Sequence, residues 1–277
     1  IVRGFSPRTI PMPRGTLTMP KQTGGGTANY YGEQVAVVPS TQATGTLSLS
    51  AKKLMALTVI SNELLNDASP EADAFVRDDL TRVMANREDL AFLRGDGTAS
   101  TPKGFRNHAN SANVVAATQA GGSATLTEVA TDLNKALGGL QDNDVPVDDR
   151  CAWISHPRTF RYLSQLRDGT GPFVYKDELA SGKLLGYRIG WTTQIPKNLG
   201  GGTNESELHF VQMGEVLLGD TKMTEVSFHP DATYDDSGTV RSGLSRDESA
   251  IRAVARHDLQ VRHDFAVFIL STLKWGA

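Results

Sequence analysis

Two long segments of the chain carry regular patterns of hydrophobic and polar residues. Apolar residues recur at helical spacing across residues 70–94, which predicts one long helix. Ser69 and Pro70 predict its start, because Ser is a favoured N-cap and Pro fits a first turn, and Gly95 predicts its end. Residues 251–262 instead alternate with a period of two, which predicts a long strand with one apolar and one charged face.

The first 58 residues lack the composition of a packed domain. Residues 1–14 contain three arginines, three prolines and no acid, so we predict an extended arm without a helix or a central strand. Residues 15–58 contain four charges and few large apolar residues, and positions 46–52 alternate with a period of two. We predict a long, flat β-hairpin that cannot fold alone and that rests on a neighbour.

The chain after about residue 126 resembles an ordinary α/β sequence. We predict a helix capped by Thr127 and ending at Leu140, and a buried strand over residues 151–155. Pro157 predicts the start of a further helix. Apolar runs at 210–211 and 216–218 predict two more strands.

Composition limits the classes of function. Hydrophobic residues make up 39% of the 277 residues, which allows a packed core and excludes wholesale disorder. The net charge of −3 argues against a protein that mainly grips nucleic acid. The longest apolar run, residues 265–270, is far shorter than a membrane-spanning helix, so we expect no membrane contact. A single cysteine excludes an internal disulfide and a multi-cysteine zinc site.

No motif predicts an active site. The Arg-Gly-Asp tripeptide at residues 94–96 is explained by the end of the long helix. The glycine-rich segments 24–27 and 200–203 lack the Lys-Ser/Thr of a phosphate loop. Cys151 lies in an apolar strand, which favours a buried thiol over a nucleophile paired with His156. We therefore predict that the chain is not an enzyme and has no catalytic residue, no metal and no cofactor.

Several short stretches resemble the HK97-fold major capsid proteins of tailed bacteriophages. Residues 59–67, VISNELLND, resemble the family's entry to its spine helix. Residues 89–98, DLAFLRGDGT, followed by PKGF at 102–105, resemble the exit from that helix. WISHP at 153–157 and RHD at 256–258 follow in the family's order. The resemblance covers nearly the whole chain and implies an α+β fold of the HK97 type.

The resemblance also implies a division of the chain. It implies an N-arm at 1–14, an E-loop at 15–58, a P-domain at 59–125 and 216–257 with the spine helix and long strands, and an α/β A-domain at 126–215 and 258–277. Because the chain begins at Ile1 rather than Met, we expect that a scaffolding segment is removed by proteolysis, as is usual in the family.

The function implied by the resemblance is structural. Copies of the chain would self-assemble into pentamers and hexamers that close into an icosahedral phage head around double-stranded DNA. The expected partners are further copies of the chain, packaged DNA contacted without sequence specificity, a portal, a maturation protease and a decoration protein. The expected location is the capsid of the virion, assembled in the cytoplasm of the bacterial host.

We predict that charged residues of the arms and of the long strand contact neighbouring subunits. These residues are Arg3, Arg8, Arg14, Lys21, Glu33, Arg252, Arg256, Asp258 and Arg262. The last four share the charged face of the long strand, which has no obvious use within the chain.

Covalent linkage between subunits is not expected. Some family members crosslink an E-loop lysine to a P-domain asparagine, and Lys21 could supply the amine. However, no asparagine follows Asn204 in this sequence, so we predict shells held together without covalent bonds.

Two alternatives stay open. An encapsulin nanocompartment shell has the same fold, but it would ordinarily begin with its own Met and lack a cleaved scaffold. In a different class, the α/β middle of the chain could be a small-molecule enzyme. A ligand-shaped pocket that holds titratable groups with perturbed pKa values would support the enzyme.

Overall fold

The chain folds into a four-stranded sheet, a six-stranded sheet and two separate hairpins. The computed structural model describes residues 1–24, 26–63, 71–98, 100–119, 124–169, 171–230, 232–236 and 238–277, with the backbone alone at residues 22–24, 71–74 and 222–223. The strands are β1 Arg8–Pro11, β2 Thr16–Gly24, β3 Ala43–Ser50, β4 Lys52–Ser61, β5 Val114–Ala116, β6 Cys151–Ser155, β7 Lys183–Leu184, β8 Tyr187–Trp191, β9 Ser206–Gln212, β10 Val216–His229, β11 Thr233–Asp236, β12 Thr239–Ser242, β13 Glu248–Val261 and β14 Val267–Leu273. The helices are α1 Glu71–Arg94, α2 Phe105–His108, α3 Leu126–Gln141, α4 Pro157–Gln165, α5 Lys176–Ala180 and α6 Gly243–Arg246.

The four-stranded sheet has the order β1-β10-β13-β4 and contains the long strand predicted from the alternating pattern. β13 pairs antiparallel with β10 and β4, and β1 runs parallel to the start of β10. Ile251 and Ala253 on one face of β13 are buried with Leu80 and Met84 of α1. The apolar face of the strand is therefore covered by the long helix of the same chain.

The long helix ends at Arg94, as predicted. Its predicted cap at Ser69 and Pro70 lies outside the described residues. Gly95 ends the helix for a reason other than the one predicted, because its φ is not positive and a Cβ there would lie 2.1 Å from the carbonyl oxygen of Pro102. The close approach of two backbone segments, rather than a left-handed turn, requires glycine here.

The predicted hairpin is present but shorter than expected. β2 and β3 pair antiparallel, and Leu47 and Leu49 on one face are buried with Met12 and Leu217. Residues 52–58 were predicted to belong to this arm, but they lie in β4 and pair with β13. They join the sheet because alternate residues of β4 pack toward α1.

The six-stranded sheet has the order β5-β14-β9-β6-β8-β7 and forms the centre of the larger core. β6 is wholly buried, as predicted, and Trp153 stacks on Phe210 with ring centroids 4.2 Å apart. The cap of α3 is Thr125 rather than the predicted Thr127. Thr125 and Glu128 form a reciprocal capping box, which Thr127 cannot form because Ala130 follows it at the third position.

The N-terminal arm contains more regular structure than its prolines indicate. Residues Arg3–Phe5 form one turn of 3-10 helix, although we predicted no helix in this segment. Arg8–Pro11 form an edge strand of the four-stranded sheet. An edge position accommodates Pro11 because one side of the strand needs no backbone donor.

Candidate assembly interface

The tip of the arm is the least covered part of the described chain. Residues 26–42, which we call the arm tip, form neither helix nor strand, and every one of them is exposed. Val37 and Val38 are 69% and 72% exposed, and Tyr30 is fully exposed. Glu33, the only acid of the arm, lies among them. Clustered apolar side chains without cover mark a surface that another molecule buries.

The base of the arm is fixed to the rest of the chain by polar contacts. Lys21 Nζ lies 2.7 Å from Asp264 Oδ1. Asp258 accepts hydrogen bonds from the backbone N–H of Ser50 at 2.7 Å and of Leu259 at 2.9 Å. These contacts hold β2 and β3 in place while the tip projects away.

Asp258 corrects one sequence prediction. We predicted that it lies on an exposed charged face and contacts other subunits, but it is only 4% exposed. The base of the arm crosses the sheet at this point and covers the carboxylate. Burial raises its pKa, and the hydrogen bonds from Ser50 and Leu259 oppose that change. Its role is therefore within the chain.

The remaining charged face of the long strand is open. Arg252 and Arg256 point away from α1, and Arg256 pairs in register with Lys53 of β4. We call these three residues the basic face. They make no ion pair with any other residue that the structure describes. Together with the half-exposed Met55 and Leu57, they give this side of the sheet a mixed cationic and apolar surface, and a depression of about 550 Å³ lies along it.

Of the other predicted interface residues in the N-terminal arm, one is paired within the chain and two are exposed. Arg3 contacts Glu88 and donates to both carboxylate oxygens of Asp220, at 2.7 and 2.9 Å. Arg8 and Arg14 are exposed.

A groove of about 380 Å³ separates the arm base from the start of β10. Arg262 lines this groove and lies 3.9 Å from Glu215. Ile10, Met19 and Leu47 give the groove apolar lining, and Arg8 lines it as well.

A buried ionic cluster that the sequence did not predict joins the long helix to the six-stranded sheet. Glu207 of β9, 3% exposed, lies 3.4 Å from Arg94 and 3.1 Å from Arg106. Burial opposes its ionisation, but the adjacent His209 and the two arginines hold its pKa below the usual value. The only sequence signal was an acid within an otherwise apolar strand.

Cys151, the residue considered as a nucleophile, has the properties of a buried structural thiol. Burial raises the pKa of the Cys151 thiol to about 11, so the thiol stays protonated at neutral pH. No group of three or more His, Cys, Asp or Glu side chains is placed to hold a metal ion within the described ranges. Across the same ranges, no helix combines the length and the apolar character needed to cross a bilayer.

An uncovered apolar arm on a folded body is typical of chains that assemble with further copies. The chain matches the Phage capsid family over residues 2–271. It is 36% identical over 264 residues to the major capsid protein of Klebsiella oxytoca phage phiKO2, covering 95% of this chain and 61% of that protein. It is 25% identical over 266 residues to the capsid polyprotein of Pseudomonas phage PAJU2, covering 92% of this chain and 39% of that protein.

Solved structures share the fold. A chain from Mycobacterium phage Adephagia matches with a TM-score of 0.76 at 16% identity, covering 98% of this chain and 89% of that one. The capsid of a native gene transfer agent particle matches with a TM-score of 0.73 at 17% identity, with the same coverage. These matches confirm the predicted α+β fold of the HK97 type. The chain belongs to the phage capsid family, and its location is the capsid of a virion.

Proposed function

We propose that the chain is a major capsid protein whose copies form pentamers and hexamers and close into an icosahedral head around double-stranded DNA. The observation that carries the proposal is the uncovered arm tip, with Val37, Val38 and Tyr30 in solvent. These side chains would be buried once a neighbouring copy covers them, and burial of apolar area favours assembly. The function is mechanical, and no catalytic step is part of it.

The division of the chain in this proposal is the one that the resemblance implies, with the boundary between the E-loop and the P-domain moved. The N-arm is residues 1–14, and the E-loop ends at Ser50 instead of residue 58, because β4 pairs within the four-stranded sheet. The P-domain is built on that sheet and α1, from residues 51–125 and 216–257, so that it includes all of β4. The A-domain is built on the six-stranded sheet, from residues 126–215 and 258–277.

We place the subunit contacts at the arm tip and on the basic face. The arm tip offers apolar side chains and one carboxylate, Glu33, whereas the basic face offers three unpaired cations beside Met55 and Leu57. The two surfaces are complementary in charge and in apolar content, which supports contact between copies. Arg8 and Arg14 are exposed and open to further contacts, whereas four other predicted interface residues have partners among the described residues: Arg3, Lys21, Asp258 and Arg262.

Packaged double-stranded DNA and three further proteins are the other partners in this proposal. The net charge of −3 suits a container that DNA enters without being trapped, because strong binding would need a cationic lining. A portal, a maturation protease and a decoration protein complete the set of partners that the resemblance implies.

Electron microscopy of the purified protein tests the proposal. We expect closed shells from the intact chain, and folded subunits without shells when a Gly-Ser linker replaces residues 28–40. A matched variant that replaces the exposed Lys197 and Asn198 with Gly and Ser should still give shells. Shells of normal yield from the shortened arm, or no shells from the intact chain, would contradict the proposal.

A further inference from the structure

We infer that residues 2–11, which we call the strap, fix the angle between the two sheets of one subunit and thereby the curvature of the shell. The part of this inference that concerns curvature rests on the proposed function. The part that concerns the angle rests on contacts within one chain. The strap touches both sheets and the long helix, although it contributes one short edge strand to only one of the sheets.

On the side of the six-stranded sheet, the strap fits against β8. Phe5 is 8% exposed and lies over Gly190, where an added Cβ would come within 2.7 Å of Phe5 Cζ. The guanidinium of Arg188 lies 5.2 Å from the centre of the Phe5 ring and donates a hydrogen bond to the carbonyl of Gly4 at 2.9 Å. Val2 is fully buried in the same core.

On the other side, the strap is bound to α1 and β10. Arg3 makes a bidentate pair with Asp220 of β10 and also contacts Glu88 of α1. The backbone N–H of Val2 donates to Asp89 at 3.1 Å. Bidentate pairs between arginine and carboxylate fix orientation as well as distance. One arginine therefore holds a helix, a strand of one sheet and, through its neighbours, a strand of the other.

The covalent connections between the sheets leave this angle under-determined. Two of them, between β9 and β10 and between β13 and β14, lie side by side, because Arg262 donates its backbone N–H to Glu215 at 2.9 Å. Two adjacent links by themselves form a hinge, so non-covalent contacts must set the angle: those of Glu207 with Arg94 and Arg106, and those of the strap. β8 lies two strands from β9, so Gly190 is about 10 Å to the side of β9 at ~4.8 Å per strand. It is in register with His209, so it also lies several residues along the strands from the hinge. A contact at that distance resists rotation.

The test compares lesions on the two sides of the strap. Arg3→Met removes the charge that binds β10 and α1, whereas Gly190→Ala displaces Phe5 from β8. Arg161→Met is the control, because Arg161 is exposed and lies in α4, outside the strap and outside every surface proposed for subunit contact. We expect both lesions to broaden the distribution of particle diameters in electron micrographs. We also expect about tenfold faster amide exchange at residues 187–191, the size of effect that loss of one charged hydrogen bond can give.

Particle diameters and amide exchange together show whether the strap fixes the angle between the sheets. Normal diameters together with faster exchange at residues 2–5 alone would overturn it, because the segment would then be a tail without mechanical effect. If a lesion yields no particles, amide exchange is measured in the soluble subunit instead. Faster exchange at residues 187–191, with that of β6 and β9 unchanged, supports the inference that the strap fixes the angle. Unchanged exchange at residues 187–191 contradicts it. If the intact chain forms no shells, the same exchange experiment tests the angle while the proposed function fails.

Discussion

His257 lies where α1, β10 and the strap meet. Its side chain is 3% exposed. The centroids of the His257 and Phe92 rings are 5.0 Å apart in an edge-to-face arrangement, and His257 Nδ1 lies 3.9 Å from Glu88 Oε2. Burial, and then the charge of Arg3, lowers the pKa of His257 to about 4. Burial, and then the charge of Lys103, lowers the pKa of His108 to about 4 as well. Both imidazoles are therefore neutral in the folded protein at neutral pH.

These two histidines predict a loss of stability in mild acid. Below their ordinary pKa of 6.5 the unfolded chain takes up protons, whereas the folded chain stays neutral at these sites until about pH 4. The free energy of unfolding should fall between pH 6.5 and 4, by at most about 3 kcal/mol per histidine, and should then stop falling from this cause.

Urea unfolding of the soluble subunit across that pH range measures the effect. His257→Asn should flatten the pH dependence whatever it does to stability at pH 7, whereas His263→Asn should leave it unchanged, because His263 is exposed. An unaltered pH dependence in His257→Asn would show that this histidine is not the cause.

At the level of helices and strands, the sequence predicted the elements with regular patterns but not which segments cover their faces. The period of two in β13 and the helical spacing in α1 identified both elements. The same spacing in α1 did not reveal that Phe75 and Val83 are 73% and 51% exposed, because periodicity shows which residues share a face but not what covers it. Asp258 was misplaced for the same reason, since the arm that covers it comes from a distant part of the sequence.

The contact of Asp258 with the base of the arm should contribute to the stability of the subunit. Asp258→Ala removes the buried carboxylate that accepts from the backbone N–H of Ser50, so we expect the free energy of unfolding to fall by about 1–3 kcal/mol. Amide exchange should also accelerate at residues 43–50. Calorimetry and exchange on the subunit measure the two effects. Stability and exchange equal to those of the unmodified chain would mean that the arm base is held by its apolar contacts alone.

Arg256 should contribute to assembly of the shell but not to the stability of the subunit. It is exposed and makes no ion pair with the described residues, so Arg256→Ala should leave thermal unfolding of the subunit unchanged. The shell repeats its contact in every subunit, so the yield of particles in sedimentation should fall. Arg161→Ala, at another exposed arginine, should change neither quantity. An unfolded Arg256→Ala subunit whose particles stay intact would place this residue in the core.

At the scale of the whole molecule, the sequence could identify the class of protein but not the contacts that complete the subunit. Arg3 was predicted to reach a neighbour, yet its partners Glu88 and Asp220 lie 85 and 217 residues away in the same chain. Glu207 is similarly explained only once α1 and the six-stranded sheet are brought together. Such long-range pairs carry no local signal, because neither residue is unusual in its own segment.

The absence of asparagine after Asn204 predicts particles without covalent links. Lys21, the candidate amine, is already paired with Asp264 at 2.7 Å. Boiled and denatured particles should migrate as a single band near 29.8 kDa. A ladder of multimers would refute this and require a different crosslinking chemistry.

Amide exchange at the arm tip, compared between soluble subunits and assembled shells, tests whether a neighbouring copy covers this segment in the shell. In the soluble subunit, residues 26–42 should exchange rapidly, because all of them are exposed. In shells, a neighbouring copy should cover Tyr30, Val37 and Val38, so exchange across this segment should slow markedly while that of the buried strand β6 stays the same. Equally rapid exchange throughout residues 26–42 in both states would contradict the account.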